Sequence, residues 1–269
     1  MEQILLDNIV NNEIYAPVNF ADFQKKDWGI LFYDGHNPKS YDSNHAVITE
    51  QKADFFEAAE QTKDFYLSKG LVPRIRLPIG TAPSDKQRLE LERAGFFSPE
   101  NAVVPPSDCE NVFCDNRETV CMIKKYPAPE FSQGHFSVSR QDLFGDELCF
   151  GLFGTGDEFI KRTVNRLCGG KKGFFFVGRL FSDGVSICTV EEGERLCRLS
   201  NVFTAAGFRN CGFGTKTAAF ALGYYEKQCK KPIYLLTENT AAISIYRRLG
   251  FERVAQFKRP FSAVWREQI

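Results

Sequence analysis

Apolar positions in the C-terminal half of this 269-residue chain switch between a period of two and a period near 3.6, and the switching predicts its elements. Residues 136–139 and 173–181 read as strands. Between them, a turn at 154–156 precedes a helix over 157–167 with Phe159, Ile160, Val164 and Leu167 along one stripe. A turn at 182–184 leads to a strand over 185–190. Glu191, Glu192 and Glu194 then read as a charged, solvated turn before a third strand over 195–204. A helix over 215–228 ends at Lys230-Lys231-Pro232, and a strand over 233–237 follows. A short helix over 240–249 ends at Gly250, and strands over 252–258 and 263–266 close the chain. The elements run in the order β-α-β-β-β-α-β-α-β-β, the alternation of an α/β (mixed-sheet) domain.

The N-terminal half gives a weaker pattern. Residues 28–33 form a candidate buried strand, and 52–69 a long helix with Phe55, Phe56, Ala59 and Phe65 on one side. Residues 71–77 alternate like a strand, although Pro73 suits an edge better than a centre. A helix over 84–94 and an extended piece at Val103-Val104 complete a second α/β unit. The proline-rich segment Lys124-Lys125-Tyr126-Pro127-Ala128-Pro129 is the best linker, which divides the chain into 1–125 and 126–269.

Composition narrows the classes. A formal charge of zero gives no general nucleic-acid footprint, and no apolar run reaches the length of a membrane span. The acidic N-terminus MEQILLDNIVNNE is unlike a signal peptide, so the expected location is cytoplasmic. Nine cysteines without a C-x-x-C spacing argue against a disulfide framework and a zinc site, so no metal is expected. His36 and His45 lie in the polar segment 34–48 with Asn37, Asp42 and Asn44. A metal or acid–base cluster there competes with a loop whose Asn, Asp and Ser side chains bond their own backbone.

The densest chemistry is the stretch 202–214, VFTAAGFRNCGFG. Arg209, Gly212 and Gly214 form R-x-x-G-x-G between a strand and a helix. Glycines at this spacing permit a tight turn with exposed N–H groups, and the helix N-terminus adds its positive dipole end. A pyrophosphate suits such a loop. The pattern resembles motif A of the GNAT-type N-acetyltransferases, and Asn239 to Phe251 (N-x-A-A-x-x-I-Y-R-R-L-G-F) resembles their second signature. The resemblance covers roughly residues 130–269 and implies a GNAT acyltransferase fold there. Residues 1–125 would then be either a degenerate GNAT-like α/β copy or a family-specific cap domain.

The resemblance also implies acetyl-CoA as cosubstrate and an amine as acceptor, a small molecule ahead of a peptide or protein. Transfer would be direct, in a ternary complex. Val202, Phe203, Thr204, Arg209, Asn210, Cys211, Gly212, Phe213, Gly214 and Thr215 would line the cofactor loop, a bulge at Val202–Thr204 freeing a backbone N–H for the thioester carbonyl. Asn239 would bond the pantetheine arm or cap the next helix, and Tyr246 would protonate the departing thiolate. No acid lies on the strand over 195–204, which leaves the general base unassigned. The competing readings are a non-catalytic acyl-CoA-binding protein on the same fold and an enzyme using a different donor.

Overall fold

The computed structural model describes residues 2–98, 118–131, 134–154 and 158–267, so the expected extended piece at 103–104 and part of the turn at 154–156 lie outside it. The chain forms two compact units that are discontinuous in sequence. One comprises Met1–Phe20 with Thr119–Gln256; the other comprises Ala21–Glu118 with Phe257–Ile269. Compactness thus divides the chain differently from a single cut between 125 and 126.

In the second unit, strands β1 (Asp22–Lys26), β2 (Gly29–Tyr33), β3 (His45–Ile48), β4 (Arg74–Arg76) and β5 (Phe96–Phe97) share a sheet with the last strand of the chain, β13 (Ser262–Trp265). The order is β1-β2-β3-β4-β13-β5. Helix α2 (Phe55–Leu67) buries Phe55, Ala58, Ala59, Thr62 and Tyr66, while Phe56 is 37% exposed and lies off the stripe expected for it. Helix α3 (Asp85–Arg93) starts in a capping box between Ser84 and Gln87. Pro73 sits one residue before β4, a central strand, so its missing N–H costs no ladder bond; its carbonyl accepts from Trp265 N at 3.1 Å. The segment 34–44 is the backbone-bonded loop: Asn44 accepts from Asp34 N and donates to the carbonyls of Asn37 and Ser40. Its end, His45–Ile48, is a buried strand rather than loop. His36 is exposed and His45 is buried, and among the described residues no group of three His, Cys, Asp or Glu could hold a metal.

In the first unit, helix α1 (Glu2–Tyr15) is followed, after the second unit's chain, by β6 (Glu118–Lys124), β7 (Phe136–Gln141), α4 (Asp146–Phe153) and α5 (Glu158–Gly169). Next come β8 (Gly173–Leu180), β9 (Asp183–Glu192), β10 (Cys197–Thr204), α6 (Phe213–Gln228), β11 (Ile233–Thr237), α7 (Thr240–Arg248) and β12 (Phe251–Lys258). The sheet order is β12-β6-β11-β10-β9-β8-β7. Ala218, Ala221, Leu222 and Tyr225 of α6 pack on Val190, Leu199 and Leu235 on one face. Phe144, Leu152 and Val164 pack on Phe175, Val177 and Ile187 on the other. Among the described residues no helix is long and apolar enough to cross a membrane.

The two sheets repeat one plan. Read from β1 and from β8, they run β1-β2-β3-β4-β13-β5 and β8-β9-β10-β11-β6-β12. Each has one parallel pair, β3 with β4 and β10 with β11, joined through a helix. Each also has one inserted antiparallel strand beside that pair. The inserted strands are exchanged: β6 follows β5 in sequence yet enters the other sheet, and β13 follows β12 and enters the first. Residue 124, expected to open a linker, therefore ends a central strand.

Candidate active site

The parallel pairing of β10 with β11 stops early. Only Cys197–Ile233 and Arg198–Tyr234 are in register. Beyond them β10 stays with β9 to Thr204, and β11 stays with β6 to Thr237. The two strands therefore splay apart at their C-terminal ends, the edge where ligands settle in sheets containing parallel strands.

A bulge sits in the splayed part. Ser200 pairs with Thr189 and Phe203 with Ile187, so β10 carries one residue more than β9 across this step. Asn201, within the bulge, takes a left-handed conformation at φ 50°. The extra residue disrupts the ladder locally, between Ser200 and Phe203. The sequence carried Val202, Phe203 and Thr204 as the end of this strand, and the three do form its half-buried last residues.

The loop follows directly. A short 3-10 turn over Ala206–Phe208 leads to Arg209, and Asn210 (φ 64°) and Gly212 (φ 79°) alternate in left-handed geometry around exposed Cys211. Left-handed residues in such a turn can gather successive N–H groups into a concavity. Helix α6 starts at Phe213, two residues earlier than the pattern suggested. No side chain caps it and no acid lies in its first turn, so Gly214 and Thr215 keep their N–H groups and the dipole end stays open. Arg209 donates from Nε to Thr204 O at 3.2 Å, fixing a cation beside the loop, and Lys216 adds a second.

The second unit supplies a contrast. Its corresponding helix, α2, is capped by the Asp54 carboxylate, which accepts from Glu57 N at 3.0 Å, and Glu57 adds an acid to the first turn. That end is closed to anions.

Tyr246 lies on α7, half-buried, with its ring edge-on to Phe251 at 6.1 Å. Burial, with the Cys188 thiol nearby, pushes its phenol up to about 12. Cys188 is the β9 residue opposite the bulge, so Tyr246 faces the same part of the sheet. Asn239 caps α7: its side-chain oxygen accepts from Ala241 N at 3.0 Å and Ala242 N at 3.3 Å. Its amide NH2 is the end that remains to meet a ligand.

One group departs from the sequence reading. Glu191 does not lie in a solvated turn. It belongs to β9 and is 6% exposed, while the turn spans only the residues after Glu192. Ser200 Oγ donates to Glu191 Oε1, Thr189 Oγ1 bonds Ser200 Oγ at 2.6 Å, and Asn201 Nδ2 donates to Thr189 Oγ1 at 3.0 Å. Glu191, Thr189 and Ser200 thus connect to the bulge. The run Thr189-Val190-Glu191 facing Arg198-Leu199-Ser200 was the available signal, an alternation of polar and apolar residues on paired strands.

With this geometry in hand, comparison with known proteins is direct. Residues 161–251 match the model of the acetyltransferase (GNAT) family. A search of curated proteins gave no match. Among solved structures, a GCN5-related N-acetyltransferase from Kribbella flavida is similar with a TM-score of 0.60 at 15% identity, over 97% of this chain and 95% of its own. A functionally unknown conserved protein from Staphylococcus epidermidis reaches a TM-score of 0.59 at 11% identity, over 91% and 94%. A tandem GNAT protein from the clavulanic acid biosynthesis pathway reaches 0.55 at 11% identity, over 84% and 76%. Likenesses at such identities concern the fold, and they extend over both repeats of the sheet plan. Residues 161–251 thus match the GNAT acetyltransferase family model, and the two-unit fold is similar over nearly its whole length to those of GCN5-related N-acetyltransferases.

Proposed function

We propose that this chain moves an acetyl group from acetyl-CoA to an amine acceptor, by direct transfer in a ternary complex. The observation that carries this reading is the conjunction on one strand edge of an uncapped glycine N-terminus, a bulge and a splayed strand pair. The N–H groups over 210–215 and Arg209 would hold the pyrophosphate. The bulge at Val202–Phe203 would offer its N–H to the thioester carbonyl, where a preorganised donor contributes most as negative charge develops. Tyr246, neutral across the physiological range, would supply a proton to the departing sulfur. Burial raises the pKa of a thiol lodged beside it as well, so donor and acceptor stay matched in the same surroundings. A small amine is the favoured acceptor.

The test is release of free thiol from acetyl-CoA over an amine panel of spermidine, lysine, glucosamine and a dipeptide. Amine-dependent release is the expected result. Binding of acetyl-CoA without release on any amine would favour the alternative, a non-catalytic acyl-CoA-binding protein on the same fold.

A further inference from the structure

We propose that Ser200 and Glu191 form a proton relay that deprotonates the acceptor amine. This inference rests on the reading just given and adds the base that it lacks.

With Glu191 ionised, the chain of bonds has one polarity. An amide nitrogen can only donate and an ionised carboxylate can only accept. Asn201 Nδ2 therefore donates to Thr189 Oγ1, Thr189 donates to Ser200 Oγ, and Ser200 donates to Glu191 Oε1. Each hydroxyl proton points toward Glu191. Thr189 is fully buried, whereas Ser200 is half-buried and keeps one lone pair beyond these bonds. Ser200 directly precedes the bulge and lies past the last register pair of β10 with β11, so it stands at the mouth of the gap.

The face that Ser200 occupies follows from its neighbours. Leu199 and Cys197 pack under α6, which places Arg198 and Ser200 on the opposite face of the sheet. Among the described residues, charged groups there include Arg198 of β10, opposite Glu191 in the register, and Glu13 of α1, which pairs with Arg198 Nε at 3.4 Å. The Tyr234 phenol of β11 donates to Glu13 at 2.6 Å and accepts from Asn12 at 2.7 Å.

The proton balance is simple. An ammonium proton passes to Ser200 Oγ as the Ser200 proton passes to Glu191 Oε1, leaving a neutral amine and a protonated carboxyl. After the N–C bond forms and the C–S bond breaks, the second nitrogen proton reaches the sulfur by way of Tyr246. Glu191 returns its proton through Ser200 to solvent.

The experiment compares wild type, Glu191→Gln and Ser200→Ala on the panel amine that wild type acetylates fastest, from pH 7 to pH 9. Coenzyme A affinity, measured on each protein, reports an intact donor site. The expected result is a loss of about 10²–10³-fold in kcat/KM at pH 7 for both variants. That deficit should shrink about tenfold per pH unit up to the acceptor amine's own pKa, as free amine replaces ammonium in solution, with coenzyme A affinity unchanged. A deficit equal at all pH values, in either variant that binds coenzyme A, means a structural role and overturns the relay, as does full activity. Should wild type acetylate none of the amines, the acetyltransferase reading itself fails and the relay falls with it.

Discussion

A Cβ on Gly214 would stand 2.6 Å from Thr204 Oγ1, so the first turn of α6 rests on the end of β10. Strand, loop and helix are thereby locked at the point where phosphate is proposed to bind. Gly214→Ala should force Thr204 or the helix to move, costing about 1–3 kcal/mol in denaturant unfolding. Gly212→Ala has open space but a φ of 79°, and should cost about 1–2 kcal/mol through backbone strain alone. Equal stability of wild type and Gly214→Ala would contradict the packing.

Tyr246→Phe separates chemistry from binding. Turnover should fall by about 10²-fold with coenzyme A affinity retained. Because the phenol is pushed up to about 12, wild-type turnover should show no loss attributable to this acid up to pH 10. The same shift makes folding stability from this group complete below the unfolded value of about 10, and lost as pH rises from there toward 12. Unchanged turnover in the variant removes Tyr246 as the acid.

His45 sets an acid limit on the second unit. Burial and then the Arg76 guanidinium hold its pKa well below the usual value, against a smaller opposing effect of Asp42. Its Nδ1 lies 3.2 Å from Tyr41 O, and a carbonyl only accepts, so Nδ1 carries the proton of the neutral ring. The unfolded chain takes up a second ring proton near pH 6.5 while the folded one resists it. Stability from this site is therefore full above pH 6.5 and declines as pH falls below it. Urea midpoints at pH 7.5, 6.0 and 5.0 should drop more steeply in wild type than in His45→Gln; parallel curves would show that His45 does not set the limit.

The exchanged strands make a fragment over 126–269 incomplete. It lacks β6, whose residues Val120–Ile123 pair with Tyr234–Thr237, and so leaves an apolar gap between β11 and β12. An unpaired interior edge of this kind promotes association. The fragment should aggregate on expression, whereas one starting at residue 118 should recover more soluble protein. A monomeric, folded 126–269 fragment would contradict the assigned place of β6.

How much of this was legible in the sequence varies with the kind of interaction. The loop was legible, because Arg209, Gly212 and Gly214 carry their chemistry in residue type and spacing. Helices α5 and α6 followed from stripes that local periodicity records. The strand exchange was not legible: β6, a run of five buried residues beside the expected linker, was not read as a strand, and β13 was read as one but only long-range pairing decides which sheet receives it. Glu191 was misread because E-E-G-E looks like a turn, and a glutamate becomes a buried strand residue only once Ser200 is placed across from it. The low-contrast helix α1 and the short helix α4 were missed for want of a clear apolar stripe.

We propose one donor site per chain, at the uncapped start of α6, with Asp54 and Glu57 closing the corresponding end of α2. Calorimetric titration of coenzyme A into wild type, Gly212→Glu and Asp54→Gly tests it most directly. Wild type should bind one coenzyme A per chain, Gly212→Glu should lose binding, and Asp54→Gly should bind as wild type does. Unchanged affinity in Gly212→Glu, or two sites per wild-type chain, would contradict it.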